Sequence, residues 1–298
     1  MRPHWQPALL HLTFSILMNA LSLSCVLSES LEIRVGGIIL GAFSQLLWFV
    51  LLHECGHRTL FPQAVGNEWV GHLAGMMALI PFYTWRDVHA AHHVWTGWKD
   101  LDPTTRSVTH GSPGGWRDLV INGVWTLHIP LFGLVYRLSN FWNPRYCRKG
   151  RSWGYLSLAA TLLPWILIVF LFRERLGSLL LSHLLFLMLF EAIMLSQHTH
   201  IRQDRADGQK VNPRSAKDQV GFTRSLDFPC WFARWFLLNF NEHERHHAFP
   251  RIPGYYLHRV AYPCERKVHW FRWWRASHAV PGVTLLFDDE SRTGLIIE

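Results

Sequence analysis

The chain has 298 residues, of which 49% are hydrophobic, with 16 Trp and 19 Phe, an apolar content that is heavy for a soluble enzyme. The formal net charge is +8. Lys and Arg gather beside apolar segments rather than in a separate domain, so we expect a membrane partner and no nucleic acid. The five cysteines are odd in number and form no CxxC pair, so neither a disulfide framework nor a thiolate metal site is indicated.

Four apolar stretches are long enough to cross a bilayer. They are residues 8–28, 35–52, 153–172 and 176–197. The first is interpreted as a retained span rather than a cleaved signal peptide, because its apolar run is long and no A-x-A site follows it. Two further segments, 69–83 and 119–138, are weaker candidates because they are short or interrupted by polar residues and proline.

Between and after these stretches lie three histidine clusters and one histidine pair. The clusters are His53 and His57; His89, His92 and His93; and His243, His246 and His247; the pair is His198 and His200. On a helix, positions three and four residues apart share one face, so each cluster can direct its rings at one point. Imidazole is a neutral ligand that suits iron, zinc, copper and nickel. Eight clustered histidines are too many for one four-coordinate ion, which favours two ions.

The clusters can meet only if an even number of membrane crossings separates each pair. We therefore expect 69–83 and 119–138 to be re-entrant or to lie on the surface, which leaves four spans in two hairpins. The loop 137–151 is basic and the loop 29–34 is slightly acidic. The positive-inside rule then predicts that the clusters and both termini face the cytoplasm. With no repeat, low-complexity tract or linker, residues 1–298 are expected to form one domain.

Three kinds of chemistry are compatible with histidines in this pattern. His53-Glu54-Cys55-Gly56-His57 matches the HExxH helix of zinc proteases, but a protease leaves the two HxxHH clusters unexplained. A protein that stores or transports metal without catalysis is a second alternative. The third uses every cluster: two ferrous ions can activate oxygen to remove hydrogen from an unactivated C–H bond. Membrane substrates for such a reaction are acyl chains, sterols, alkanes and carotenoids.

Three strings in this order resemble the histidine boxes of the membrane fatty-acid desaturase superfamily, which also includes lipid hydroxylases and carotenoid ketolases. They are LLHECGH at 51–57, WRDVHAAHHVWTG at 85–97 and NFNEHERHHAFP at 239–250, and the resemblance spans about residues 35–260. It implies an all-α integral membrane fold, with four transmembrane helices and a cytosolic histidine-rich helical cap. The implied function is an O2-dependent fatty-acyl desaturase, with a lipid or carotenoid hydroxylase or ketolase as the alternative.

The resemblance also implies a site. Two iron ions per chain would be held by the eight clustered histidines, with a further ligand at the end of the fourth span, either His198 or His200. Asn239 resembles a position that binds iron through water. Acidic residues near the boxes could accept hydrogen bonds from ligand N–H groups and fix their tautomers. The candidates are Glu54, Asp87 and Glu242, together with Asp100, Asp102 and Glu244.

Each turnover would need two electrons from outside the chain. The sequence contains no CxxCH, no HPGG, no Gly-rich dinucleotide fingerprint and no iron–sulfur cysteine set. A separate electron donor of the ferredoxin or cytochrome type is therefore expected. An acidic carrier would be attracted to a basic cytoplasmic face.

Overall fold

The computed structural model describes residues 1–106, 109 and 114–297. In chain order the longer helices are α1 (Trp5–Val26), α2 (Leu31–His57), α3 (Ala64–Ala78), α4 (Phe82–Trp95), α6 (Trp116–Thr126), α8 (Arg151–Leu171), α9 (Leu176–His198) and α13 (Trp270–His278). The shorter ones are α5 (Pro103–Arg106), α7 (Leu131–Tyr136), α10 (Cys230–Trp235), α11 (His243–Ala248), α12 (Gly254–Leu257), α14 (Gly282–Phe287) and α15 (Glu290–Thr293). Two strands, β1 (Ser225–Asp227) and β2 (Lys267–His269), pair in parallel, with Leu226 opposite Val268.

Among the described residues, four helical segments are long and apolar enough to cross a membrane. They are Trp5–Val26, Leu31–His57, Arg151–Leu171 and Arg173–His198, which confirms the predicted spans. The first two form a hairpin whose second helix begins at Ser30, where the side-chain oxygen accepts a hydrogen bond from the backbone of Ile33. The other two form the second predicted hairpin, joined by the short helical turn Arg173–Arg175.

Two of the spans are longer than the hydrocarbon layer. At 1.5 Å per residue, the 27 residues of α2 extend about 40 Å, against about 30 Å for the apolar core of a bilayer. The segment Arg173–His198, at 26 residues, is of similar length. Their carboxyl ends, which carry His53 and His57 in one case and His198 in the other, can therefore stand at the membrane surface.

The two weaker apolar segments do not form straight spans. The segment 69–83 is divided between α3 and α4, because Leu79 adopts a left-handed conformation and Pro81 precedes the next helix. In the segment 119–138 the chain bends by 112° between Trp116–Thr126 and Leu131–Phe141, which is the geometry of a re-entrant loop or a broken span. Pro130 lies in this break.

A continuous core packs α1, α2, α3, α4 and α9 against the segment that precedes α11. Its largest fully buried side chains include Trp48, Phe49, Trp85 and Phe190. A second, smaller core joins α6, α13 and α14 to the strands, around Trp125 and Trp273. The two cores fix the short helices of the carboxyl-terminal part over the ends of α2 and α9, and this brings α11 to the site.

Candidate metal centre

The first group of histidines comes from three helices. His53 and His57 lie in the last turns of α2, His89 on α4, and His246 on α11. One ring nitrogen from each lies within 4.8 Å of the others. The Nε2 atoms of His57 and His89 are 2.8 Å apart, and those of His53 and His246 are 3.2 Å apart.

His93 completes this first group. Its Nε2 atom is 3.2 Å from Nε2 of His89 and 3.0 Å from Nε2 of His246. Its ring therefore shares the same convergence point, although His92, the preceding residue, turns to the other group. The histidines of this HxxHH cluster are therefore divided between the two groups. The spacing of three and four residues indicates one shared helix face, so it does not predict this division.

The second group is buried throughout and comes from α4, α9 and α11. It contains His92, His198, His243 and His247. The Nε2 atoms of His198 and His243 are 2.9 Å apart, and those of His92 and His247 are 3.3 Å apart. His198 is the last residue of α9, so the fourth span ends in this group.

The spacing of these nitrogens fits a shared cation in each group. A histidine nitrogen lies about 2.1 Å from a bound metal ion, so two neighbouring ligands lie about 3.0 to 3.4 Å apart in octahedral or tetrahedral arrangements. Each N–H···N hydrogen bond needs one protonated partner, and three or more Nε2 atoms that meet at one point cannot all satisfy each other this way. The donor set is also chemically suitable, because imidazole binds ferrous iron as a neutral ligand.

The charge state of the rings agrees with this role. Burial, and then the neighbouring imidazoles, lower the pKa of His89, His93 and His246 well below the ordinary value. The same causes act on His243 and His247. These five rings are therefore neutral at physiological pH, which leaves a lone pair available for a metal.

Several hydrogen bonds fix the tautomers in the second group. Nδ1 of His92 lies 2.8 Å from Oδ2 of Asp102, a buried carboxylate. Nδ1 of His247 lies 2.9 Å from Oε1 of Gln219. Nδ1 of His198 lies 3.2 Å from the carbonyl oxygen of Phe222. A proton held on Nδ1 by an acceptor leaves Nε2 free to coordinate, as at most histidine metal sites.

Asp102 is ionised although it is buried. Desolvation raises its pKa, but the nearby His92, the hydrogen bond between them and the backbone N–H of Thr104 outweigh that cost and hold the pKa below the ordinary value. The Thr104 N–H donates to Oδ1 at 2.8 Å. The carboxylate is thus oriented from two sides.

Glu54 also contacts a candidate ligand. Its Oε1 is 3.3 Å from Nδ1 of His53, while Oε2 accepts hydrogen bonds from the Thr59 hydroxyl at 2.7 Å and from the Gly254 N–H at 2.8 Å. Both oxygens are occupied by the protein. A protease would need this carboxylate to activate a water, so its contacts do not favour the HExxH interpretation.

Two predicted site residues lie elsewhere. His200 binds the Thr284 carbonyl and the Thr293 hydroxyl through its two ring nitrogens, so of the pair it is His198 that joins the histidine groups. Asn239 adopts a left-handed conformation and donates to the Gly254 carbonyl at 2.8 Å, which shapes the turn before α11.

Two of the predicted acceptors bind cations and backbone instead of ligand rings. Glu242 pairs with Arg245 and Lys267. Asp87 pairs with Arg86 and accepts from the Arg148 N–H. Each sits within two residues of a histidine box in sequence, but a helix turns adjacent residues to different faces.

Gln219 is the functional candidate that the sequence did not indicate. It holds His247 through its side-chain oxygen and donates through its nitrogen to the carbonyl oxygen of His93, at 2.7 Å. It lies in a polar segment 24 residues before the third box, and nothing in the local pattern marks it.

A small cavity is bordered by histidines of both groups. His53, His89, His92 and His243 border it, and Trp85 stacks on His89 with ring centres 4.8 Å apart. The remaining walls are aromatic, except for Met194, Thr104 and Gln197. Gln197 is buried, and within the described part of the chain neither polar atom of its side chain has a hydrogen-bond partner.

These features define a helical integral membrane protein in which histidines from separate spans converge at the ends of the helices. The sequence agrees with this class: the model of the fatty acid desaturase family matches residues 31–279, and the chain belongs to that family. It is therefore an oxidoreductase of the membrane, as the histidine boxes predicted.

Curated relatives carry related names. The chain is 27% identical over 267 residues to the sn-1 oleoyl-lipid 12-desaturase of Synechocystis sp., covering 81% of this chain and 72% of that protein. It is 41% identical over 59 residues to the sn-1 acyl-lipid omega-3 desaturase (ferredoxin) of the same organism, covering 19% and 16%. It is 40% identical over 65 residues to the Delta(12) fatty acid desaturase of Mortierella isabellina, covering 20% and 16%.

Proposed function

We propose that the protein is an O2-dependent fatty-acyl desaturase that acts on lipids and uses two iron ions bound by its two histidine groups. The observation that carries the proposal is the convergence of nine imidazoles from α2, α4, α9 and α11 into two adjacent groups. Desaturation of an acyl chain is also what the printed names of the relatives describe.

The residues divide between the two ions as follows. We assign His53, His57, His89, His93 and His246 to one iron, and His92, His198, His243 and His247 to the other. When bound, iron supplies the oxygen activation that removal of hydrogen from an unactivated C–H bond requires. Asp102, Gln219 and Glu54 hold three ligand rings in the coordinating tautomer.

The protein around the histidines would position the substrate and limit water. The side chains of Phe49, Trp85, Phe141 and Phe240 border the small cavity and place apolar surface beside both groups. A methylene group that reaches the metal centre would lie against these rings, which also limit the access of bulk water.

We further propose that the histidine boxes and both termini face the cytoplasm, where a ferredoxin or a cytochrome delivers the electrons. The basic loop 137–151 supports this orientation. The ferredoxin in the name of one relative supports the donor class. If an acidic carrier docks on this basic face, its reduction rate should fall as salt rises, and a rate that is constant across a wide salt range contradicts this part of the proposal.

The test is metal content and product analysis of the purified protein, beside His92→Ala and His246→Ala, one from each group. His72→Ala is the matched control, because His72 lies against Phe82 and Tyr83 and outside both groups. We expect two irons in the wild type and the control, fewer in both variants, and a new double bond in the lipids of a host that expresses the active forms. Two irons with an oxygenated product would replace the desaturase by a hydroxylase or ketolase. A single zinc that neither substitution affects would refute the di-iron proposal.

A further inference from the structure

The small cavity beside both histidine groups is bordered by a buried amide side chain that the protein leaves unpaired. Gln197 lies next to the last residue of α9 and is 2% exposed. Among the described residues, neither its Oε1 atom nor its Nε2 atom has a hydrogen-bond partner. An unpaired amide is costly in a protein interior, so its position here requires a physical reason.

The side chain of Gln197 faces the cavity from a fixed helix end. Met194, three residues earlier on the same face of α9, borders the cavity as well. The carbonyl oxygen of Gln197 accepts a hydrogen bond from the backbone N–H of Arg224 at 2.9 Å. The guanidinium of Arg224 donates to the carbonyl oxygens of Ser196 and Thr199. The backbone is therefore held in place, while the side-chain amide remains available to a ligand.

The two hydroxyl groups that border the cavity already have partners in the protein. Oγ1 of Thr104 lies 2.8 Å from Nδ1 of His92. The Tyr136 hydroxyl interacts with the Thr104 side chain. Apart from the histidines, the other lining side chains are aromatic rings and the thioether of Met194. Gln197 therefore offers this cavity both a donor and an acceptor that no described group occupies.

The cavity is small and lies against both histidine groups. Its volume is about 10 Å³, which is about what one water molecule requires. His53 and His89 of the first group border it, as do His92 and His243 of the second. In a space of this size, a molecule that lies beside both groups also lies beside the amide of Gln197.

We propose that Gln197 is a positioning residue that binds a small oxygen-containing molecule, water or dioxygen, beside both histidine groups. The amide N–H donates to the oxygen of either molecule, and water can also donate to the amide oxygen. The proposal rests on the proposed function, in which both molecules take part. One O2 molecule, two electrons and two protons from outside, and two hydrogen atoms from the acyl chain together give two water molecules.

The test measures how tightly two small probes bind. Cobalt-loaded protein is titrated with fluoride, which is close to water in size and accepts hydrogen bonds, and binding is followed by absorption spectroscopy. Ferrous protein is titrated with nitric oxide, which is diatomic like dioxygen, and binding is followed by electron paramagnetic resonance. Gln197→Met keeps the length of the side chain and removes the amide. We expect the affinity for at least one probe to fall about 10-fold, the effect of losing a hydrogen bond to a charged partner, while metal content stays unchanged.

The two probes distinguish the two molecules. A loss of affinity for fluoride alone assigns the site to water, a loss for nitric oxide alone assigns it to dioxygen, and a loss for both assigns it to either molecule. Gln45→Met is the matched control: it makes the same change on α2, where Gln45 contacts Ser182 and His183 outside both groups, and both affinities should stay at the wild-type value. Gln197→Asn keeps the amide but withdraws it by one methylene, so its affinities should fall less than those of Gln197→Met.

Unchanged affinities for both probes in Gln197→Met, or a loss of metal from this variant, would overturn the role given to Gln197. If the methionine variant does not fold, unchanged affinities in Gln197→Asn would overturn it instead. A wild-type chain that holds no metal would reject the proposed function and this site together. A wild-type chain that binds the probes through Gln197 but forms no double bond would reject the desaturase function alone.

Discussion

Asp102 offers a sharp test of the metal centre, because it touches a candidate ligand without being one. The change is Asp102→Asn, which keeps the shape and removes the charge. In the native chain Oδ2 and Oδ1 lie 2.8 Å and 3.0 Å from Nδ1 of His92, and Oδ1 also accepts the Thr104 N–H. An amide has one oxygen, so one of these positions becomes an N–H₂ group that faces a donor.

The expected effect is on metal affinity. Loss of a carboxylate that orients a histidine ligand typically weakens metal binding 10- to 100-fold, which is about 1.4–2.7 kcal/mol. Since His92 is one of the four proposed ligands in the second group, we expect the loss to fall on the ion proposed for that group. The first group shares no hydrogen bond with Asp102 in the described residues and should keep its affinity. The Asp102→Asn variant should then have one metal site with unchanged affinity and one with weakened affinity.

The measurement is a titration of metal-depleted protein with ferrous or cobaltous ions, followed by calorimetry and elemental analysis. Asp100→Asn is the control, because Asp100 lies two residues away and accepts from the Ala206 and Asp207 backbone without touching a histidine. Equal affinities for the two variants would refute the role given to Asp102. Equal thermal unfolding of the two metal-depleted variants would exclude a folding defect as the cause of a difference.

Two further substitution pairs test the geometry. His198→Ala should remove one ion per chain, measured by elemental analysis, and retained metal in this variant would contradict the assignment. His200→Asn should retain both ions, because His200 bridges Thr284 and Thr293 and asparagine tolerates its left-handed backbone. Gly56→Ala would place a Cβ in steric overlap with the buried ring of Trp85 and should destabilise the protein by about 1–3 kcal/mol in thermal or denaturant unfolding. Gly36→Ala on the same helix meets no atom within 4 Å and should be neutral or slightly stabilising. Equal melting temperatures for the two glycine variants would refute the packing argument.

The sequence predicted the spans and the histidine clusters because both leave periodic or compositional signals, but it did not predict how the clusters divide between the two groups. Eighteen or more apolar residues identify a span, and a spacing of three and four identifies a shared helix face. The choice between His198 and His200 had no such signal, since it depends on where α9 ends. The helix ends at His198, and His200 then takes a left-handed conformation that turns its ring to the carboxyl-terminal segment.

The acceptors around the ligands were predicted less well, for a physical reason. Six acidic residues near the boxes were candidates, and of these only Glu54 and Asp102 contact a candidate ligand in the described residues. Asp102 reaches His92 because the chain folds back after α4, and Gln219 reaches His247 across the fold. Tertiary contacts of this kind depend on loop paths, which local patterns do not specify.

The distribution of the ligands along the chain also sets an order of events during synthesis. His53 is made early and inserts at the end of a membrane span, but its partner His246 follows 193 residues later. At the usual 5–20 residues per second, the ribosome needs about 10–40 s to supply it. Until then the first histidines have no complete site, so metal capture at the proposed centre would follow synthesis of the third histidine cluster. A chelator added during a pulse of synthesis and removed afterwards should therefore leave loading intact, which metal analysis of the chased protein can check.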